Sequence, residues 1–583
     1  MPAPFTHMNL IHITHEAVEQ KGGIGTVLRG LLTSAAYREG VERTILIGPF
    51  QIEPGKKGLG SDAVIHFSSL DGVFESAHSE ALQLIETAHN VQIVYGERSL
   101  LHPVTGDGAS VEIVLVNVED SEVGPLNRFK SLLWQQFQFD CIRHESEEEL
   151  DQFIRLAEPG YEAARVLLGK GGPNIFISHD FMGLPLALKV KLESLPSDRT
   201  IFHAHEVATA RGLVEGRAGH DTMFYNVMRR AAEAGLCLDE TFGTQHHYWK
   251  HAVFCLVHYL DGIFAVGELV AEEFRFLGEA FRRGNIDCVF NGIPSEKISV
   301  EERQRCRSAL QDFAEGLTGS RPDFILTHVA RPVVSKAIWR DFQVLVQLDP
   351  LLEQSGKKAT CFLLASEGSI RRTAEEVANM DAEYGWPACH QFGGSDLLGS
   401  EEALNDAVQS FNLAARNIQM VFINQFGWGP ELCGPRLGAD VEFQALRKGT
   451  DAEFGLSIYE PFGIAQLEPL TYGAVCVFSN VCGCTAFVEK VDALDSELIL
   501  VGDYTRVALT GDLAQMIEMD RQQREAIEQK EAGRLAFELS QRLTSCPETL
   551  RERIELGHEI ASKMNWETVA KEQFLPGIER ILI

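Results

Sequence analysis

The chain has 583 residues, with 52 Lys+Arg against 83 Asp+Glu and a formal charge of −31. A single core rarely grows past about 300 residues, so at least two domains are expected. Hydrophobic residues make up 45% and charged residues 23%, a globular composition that excludes a disordered or fibrous chain. The anionic excess argues against nucleic acid or a lipid surface as partner, so an anionic small ligand must be met by locally gathered cations or backbone N–H groups.

The N-terminal ten residues carry no Lys or Arg ahead of their apolar residues, so no signal peptide is expected. No run approaches 18 uninterrupted apolar residues, and no membrane span is expected either. Twelve cysteines occur without a C-x-x-C pair, a usage suited to reduced thiols and a cytoplasmic location. Short β-branched or apolar runs then alternate with helical patterns. Strands are expected over 8–13, 43–47, 91–95, 111–116, 175–178, 200–203 and 262–265, then over 324–329, 360–365, 419–423, 455–457 and 475–479. Such alternation argues for βαβ units with parallel sheets, hence an α/β fold of two Rossmann-like, doubly wound domains. The break falls after the turn residues 291–294. A charged helix (301–310) and a polar stretch (315–322) follow it. Expected boundaries are 1–295, 296–553 and a C-terminal segment 554–583 crossing back to the first domain. The Glu/Gln/Arg-rich tail 521–553 reads as solvated helices with i,i+4 charge pairs.

Three motifs carry chemistry. Lys21-Gly22-Gly23-Ile-Gly25 lies between the first strand and a helix near Thr26, where backbone N–H groups can meet a phosphate. Arg331-Pro-Val-Val-Ser-Lys336 follows the strand 324–329, and ligands of open α/β sheets bind beyond strand carboxyl ends. There a guanidinium fork and an ammonium can neutralise a leaving diphosphate. In Ser457-Ile-Tyr-Glu460-Pro-Phe-Gly463-Ile464-Ala-Gln-Leu-Glu468, two glutamates eight residues apart bracket Pro-x-Gly. One carboxylate can face a sugar ring and the other ribose hydroxyls, with phosphates on the N–H groups of Gly463 and Ile464.

Glu460–Glu468 resembles the E-x7-E element of retaining glycosyltransferases of GT-B architecture, in which two Rossmann-like domains face a central cleft, and Arg331/Lys336 resembles their basic pair. The segments 16–28 and 201–212 (Ile-Phe-His-Ala-His-Glu-Val-Ala-Thr-Ala-Arg-Gly) are similar to glycogen synthases, closest to the animal and fungal family. Phe224-Tyr-Asn226, the 265–269 strand end, Asn291-Gly-Ile and the 565–570 helix also match, so the likeness spans about residues 8–575. It implies transfer of α-glucose from a nucleotide-diphosphate glucose to the non-reducing end of an α-1,4-glucan, without metal or other cofactor. UDP-glucose is favoured over ADP-glucose, and a homo-oligomer is compatible with the family. The alternatives are a GT-B enzyme with a small acceptor, of sucrose, trehalose or glucosylglycerate type, and a non-catalytic glucan-binding protein.

By the same resemblance Glu460, Arg331, Lys336 and His205 are catalytic, while Lys21, Gly22, Gly23, Phe462, Gly463, Ile464 and Glu468 bind the donor. His179 and Asp180 line the acceptor side. Lys21 stands one position after the family's lysine, whose place Gln20 holds. The tail arginines are too widely spread for the family's sugar-phosphate sensor. His246, His247, His251 and His258 fall in an expected helix. The 247/251 pair could hold zinc with Asp239 or Glu240, but no H-E-x-x-H or cysteine pair accompanies it, and packing is the expected role.

Overall fold

The computed structural model describes residues 8–583 except 19–21, 52–57, 61–62, 103–105, 107, 170, 368–371, 394–395, 440 and 507–510. The chain forms two compact units, one of Met1–Ala210, Ala234–Gly292 and Trp566–Ile583, the other of Arg211–Glu233 and Ile293–Asn565.

The first unit holds strands β1 (Asn9–Ile13), β2 (Arg43–Pro49), β3 (Val64–Ser68), β4 (Val73–Phe74), β5 (Gln92–Leu101), β6 (Gly108–Asn117), β7 (Asn174–His179), β8 (Asp198–Ala204), β9 (Gly262–Ala265) and β10 (Ile286–Cys288). Their order is β10-β9-β8-β7-β1-β2-β6-β5-β3-β4. From β10 to β6 every neighbour is parallel, whereas β6–β5, β5–β3 and β3–β4 are antiparallel. The expectation of a parallel sheet is thus corrected at one edge. The link between β5 and β6 is too short for a crossover, which needs a dozen or more residues, so the two strands form a hairpin. Every residue of β7 is buried, the unbroken pattern of a strand covered on both faces. The first helix runs Gly23–Thr33, three residues earlier than expected. It buries Ile24, Val27, Leu28, Leu31 and Leu32, the i, i+3, i+4 stripe of an amphipathic helix.

The second unit carries β11 (Phe324–Ala330), β12 (Ala359–Ala365), β13 (Ile418–Ile423), β14 (Ala452–Gly455), β15 (Val475–Ser479) and β16 (Ile499–Gly502). All are parallel, in the order β13-β12-β11-β14-β15-β16. This is the doubly wound 3-2-1-4-5-6 order, whose direction reverses between β11 and β14, where such sheets bind ligands. The strand expected at 455–457 lies earlier, at Ala452–Gly455, so Leu456 and Ser457 already belong to the strand-end loop. Likewise 315–318 continue the helix Val300–Thr318, which stops at Gly319 with φ +72°.

The tail is less solvated than expected. The helix Arg521–Arg542 buries Leu535 and Leu539, and also Arg524 and Glu528. Glu528 meets a fully buried guanidinium: Arg340 Nε donates to it at 2.8 Å, while both Arg340 Nη atoms reach Asp221 at 2.7 and 2.9 Å. The Tyr504 ring lies 3.7 Å from the guanidinium carbon. These contacts fasten the 211–233 segment into this unit. Among the described residues no helix is long and apolar enough to cross a membrane, and all twelve cysteines are free.

Candidate active site

In the second unit the loops after β11 and β14 meet at the switch point. Ser335 O accepts from the N–H groups of Ile458 (2.8 Å) and Tyr459 (3.2 Å). This pins the Lys336 loop beside Glu460, and Lys336 Nζ donates to Glu460 Oε2. Gln466 Nε2 also donates to that oxygen, at 3.2 Å. The pair is shielded but reachable, with side chains 20% and 11% exposed. Ala337, next along, takes φ +47°, a left-handed conformation that costs a non-glycine residue free energy and clusters at functional sites. Arg331 is exposed, and among the described residues its guanidinium makes no hydrogen bond or ion pair.

Gly463 is fixed by its backbone. Its φ is +92°, and a Cβ there would fall 2.5 Å from Cys482 Sγ and 3.0 Å from Glu460 Cγ. The partner loop is equally tight: Gly483 N donates to Glu460 O at 2.9 Å and Cys484 N to Phe462 O at 2.8 Å. Gly463→Ala is therefore expected to cost about 1–2 kcal/mol from the backbone alone, read as a lower thermal midpoint. A midpoint equal to the parent's would mean the loop relaxes freely. Phe462, expected at the donor, has its ring buried near Phe487 and offers the surroundings only its backbone.

The helix expected from Ile464 is one turn, Ile464–Leu467, continuing as a 3-10 turn, Glu468–Tyr472. Pro469 is the cause, since it lacks an N–H and clashes with the carbonyl of residue 465. That carbonyl accepts from Arg447 Nη2 instead. So short an element has little macrodipole, and its start supplies individual N–H groups. Glu468 pairs with Arg447 Nε at 3.1 Å, and Arg447 Nη1 donates to Glu453 at 2.9 Å. Burial raises the Glu453 carboxyl above its ordinary pKa, against the pull of Arg447. Sequence reasoning missed Arg447: a buried arginine on a helix before a strand has no local signature.

In the first unit the carboxyl ends of β1, β7 and β8 gather His12, His179, His203 and His205, again where strand order reverses, at β1/β7. His205 is half-buried. Its Nε2 lies 2.9 Å from His179 Nδ1, and its backbone N–H donates to Asp180 Oδ1 at 2.7 Å. His179 is fully buried and Asp180 nearly so. Of the two residues expected on the acceptor side, His179 sits behind His205 and the Asp180 carboxylate accepts from the loop after β8. Burial raises the Asp180 carboxyl well above its usual range, with Glu206 adding to it, and Asp180 itself holds φ +50°.

Lys21 lies outside the described residues. Gly22 and Gly23 start the Gly23–Thr33 helix, and a Cβ at Gly23 would meet open space. At Gly22 a Cβ would fall 2.7 Å from Glu16 Oε1. The other Glu16 oxygen accepts from Gly25 N at 2.6 Å, so an internal carboxylate already occupies part of this helix start. Burial raises the Glu16 pKa, but the bonds from His15, Gly25 and Gly22 outweigh it and leave it lowered. The His246–His258 group does not share a helix: His246 and His247 sit in a turn before Trp249–Phe254. His251 is buried against Thr209 Oγ1 at 3.0 Å and Cys255 Sγ at 3.4 Å.

No family model matches the sequence, and no curated protein sequence matches it. Solved structures similar to this chain include the following three. One is the catalytic domain of starch synthase IV from Arabidopsis thaliana bound to ADP and acarbose, 14% identical, covering 99% of each chain, TM-score 0.49. Another is a trehalose-6-phosphate protein from E. coli bound with UDP-2-fluoro glucose, 11% identical, covering 98% of this chain and 99% of that one, TM-score 0.48. The third is sucrose-phosphate synthase from Thermosynechococcus elongatus, 13% identical, covering 99% of each, TM-score 0.45.

Proposed function

We propose that the protein is a retaining GT-B glucosyltransferase of glycogen-synthase type. In this reading it moves α-glucose from a nucleotide-diphosphate glucose to the terminal 4-OH of an α-1,4-glucan. The observation that carries it is the meeting of Lys336, Glu460, Gly463 and Glu468 at the switch point of a 3-2-1-4-5-6 sheet, with Arg331 exposed on the same loop as Lys336. Arg331 and Lys336 take the diphosphate, with the N–H groups of Gly463 and Ile464 beside them. Glu460 sits at the reacting glucose. Glu468, oriented by Arg447, accepts from the ribose. When the anomeric C–O bond breaks, its electron pair goes to the diphosphate, whose growing charge the two cations stabilise. The acceptor 4-OH forms the new bond from the same face and passes its proton to the departing phosphate oxygen. By its resemblance, His205 is assigned a contact with the donor sugar.

Radiolabelled nucleotide-glucose incubated with glycogen, and separately with sugar phosphates, glycerate or fructose, tests the reading. Label retained on precipitated glucan is expected. Label found only in soluble products would identify the small-acceptor alternative, and transfer no greater than in Glu460→Gln would exclude an enzyme. A thermal-shift comparison is expected to raise the melting midpoint more with UDP than with ADP at equal concentration, because ligand bound to the folded state stabilises it. The reverse order would assign the adenine nucleotide.

A further inference from the structure

At the ends of β7 and β8, His179 and His203, which the proposed transfer does not use, form a group with His205, which it does. β7 and β8 pair with His179 directly opposite His203, so the two rings project from one face of the sheet, and His205 follows two residues on. The ring centroids lie 4.5 Å apart for His203–His205 and 5.2 Å apart for each of the other two pairs. One nitrogen from each ring falls within 4.8 Å of the other two. A tetrahedral zinc ion with nitrogen ligands at about 2.0–2.1 Å holds them roughly 3.3 Å apart, within reach by rotation of the half-buried His205 ring.

His203 supplies the independent observation. Its side chain is 2% exposed, and among the described residues neither ring nitrogen has a hydrogen-bond partner. A buried polar atom left unpaired is destabilising, and the neutral ring leaves a lone pair without a donor. The shell behind it is arranged as metal-binding histidines are. His179 Nε2 lies 2.9 Å from His12 Nδ1, His12 Nε2 lies 3.1 Å from Tyr37 Oη, and Tyr37 Oη lies 3.0 Å from Thr44 Oγ1. Donation running outward along this chain places the His179 proton on Nε2 and its lone pair on Nδ1, toward His205. The rings of Phe264 and Phe574 also lie near the His203 ring, with centroids 6.2 and 6.5 Å away.

We propose that His179, His203 and His205 bind a divalent transition-metal ion of the zinc class, with a fourth position open to water beside His205. Imidazole suits Zn2+, Cu2+ and Ni2+ and does not suit Mg2+ or Ca2+. The proposal does not depend on the transfer reaction, and its test reads metal alone.

The full chain is stripped with EDTA, loaded with Zn2+, desalted, and its zinc counted by atomic emission; Co2+ loading is followed by visible absorption. Retention of about one zinc per chain and the d–d bands of a tetrahedral nitrogen-ligated cobalt are expected. Both should be lost in His205→Ala and His203→Gln and kept in His246→Ala, which removes an exposed histidine outside the group. His205→Ala carries the test if His203→Gln misfolds by circular dichroism. Zinc absent from the parent, or kept at parental level in His205→Ala, would overturn the proposal.

Discussion

Lys336→Ala is expected to lower kcat for glucosyl transfer by roughly 10²–10³-fold while weakening donor binding far less. The ammonium lies against Glu460 in the resting site, so its charge is already partly neutralised before the donor arrives. Its worth appears when the breaking bond puts further charge on the diphosphate, a change present only in the transition state. Arg331, exposed and free of hydrogen-bond or ion-pair partners among the described residues, would still hold the ground-state diphosphate. Steady-state kinetics with saturating glucan, paired with calorimetric donor binding, separates the two effects. Unchanged turnover, or a loss confined to KM, would remove Lys336 from the chemistry.

Arg340→Met is expected to destabilise the second unit by about 3–5 kcal/mol, the cost of breaking a buried ion group by taking one partner. All three side chains of this network are fully buried: Arg340, Asp221 and Glu528 are 0% exposed. Methionine fills much of the volume but leaves two carboxylates without their shared cation, although Arg524 stays 3.5 Å from Glu528. The pH dependence has a definite sign. In the parent, burial raises the Glu528 pKa, but Arg340 and the other partners more than offset it and leave it lowered. Its stabilisation is therefore present above the unfolded carboxyl value and lost as pH falls through the folded one. In the variant both carboxyl pKa values rise, so the folded state takes up protons more readily than the unfolded chain, and the deficit shrinks as pH falls from 8 toward 5. Denaturant unfolding of both proteins at several pH values checks this, and a deficit below about 1 kcal/mol, or one that grows on acidification, would contradict it.

Much of the architecture was legible from local patterns. Eleven of the strand positions read from alternating apolar runs coincide with strands or with part of one, because a strand buried between helices leaves a short apolar run that period and length identify. The twelfth, at 455–457, was read late, since Gly455 closes β14 and the apolar letters of Leu456 and Ile458 continue past the sheet. β5 was read as parallel because its first half looks like any buried strand; only its pairing with β6 reveals the hairpin. The Gly463 turn was legible because one residue type serves a backbone at φ +92°. Arg447 and Glu16 were not, since each acts on groups that tertiary folding or a turn brings to it.

The sequence by itself determined the α/β alternation, the strand-end placement of Lys336 and Glu460, and the glycine their loop requires, all of which follow from period, propensity and steric limits acting over a few residues. Only the tertiary structure decided which distant groups meet. β7 and β8 align so that His179 faces His203, and Arg340 is closed in between Asp221 and Glu528. Such pairings depend on strand register and helix packing across long stretches of chain, and no short window of sequence contains both partners.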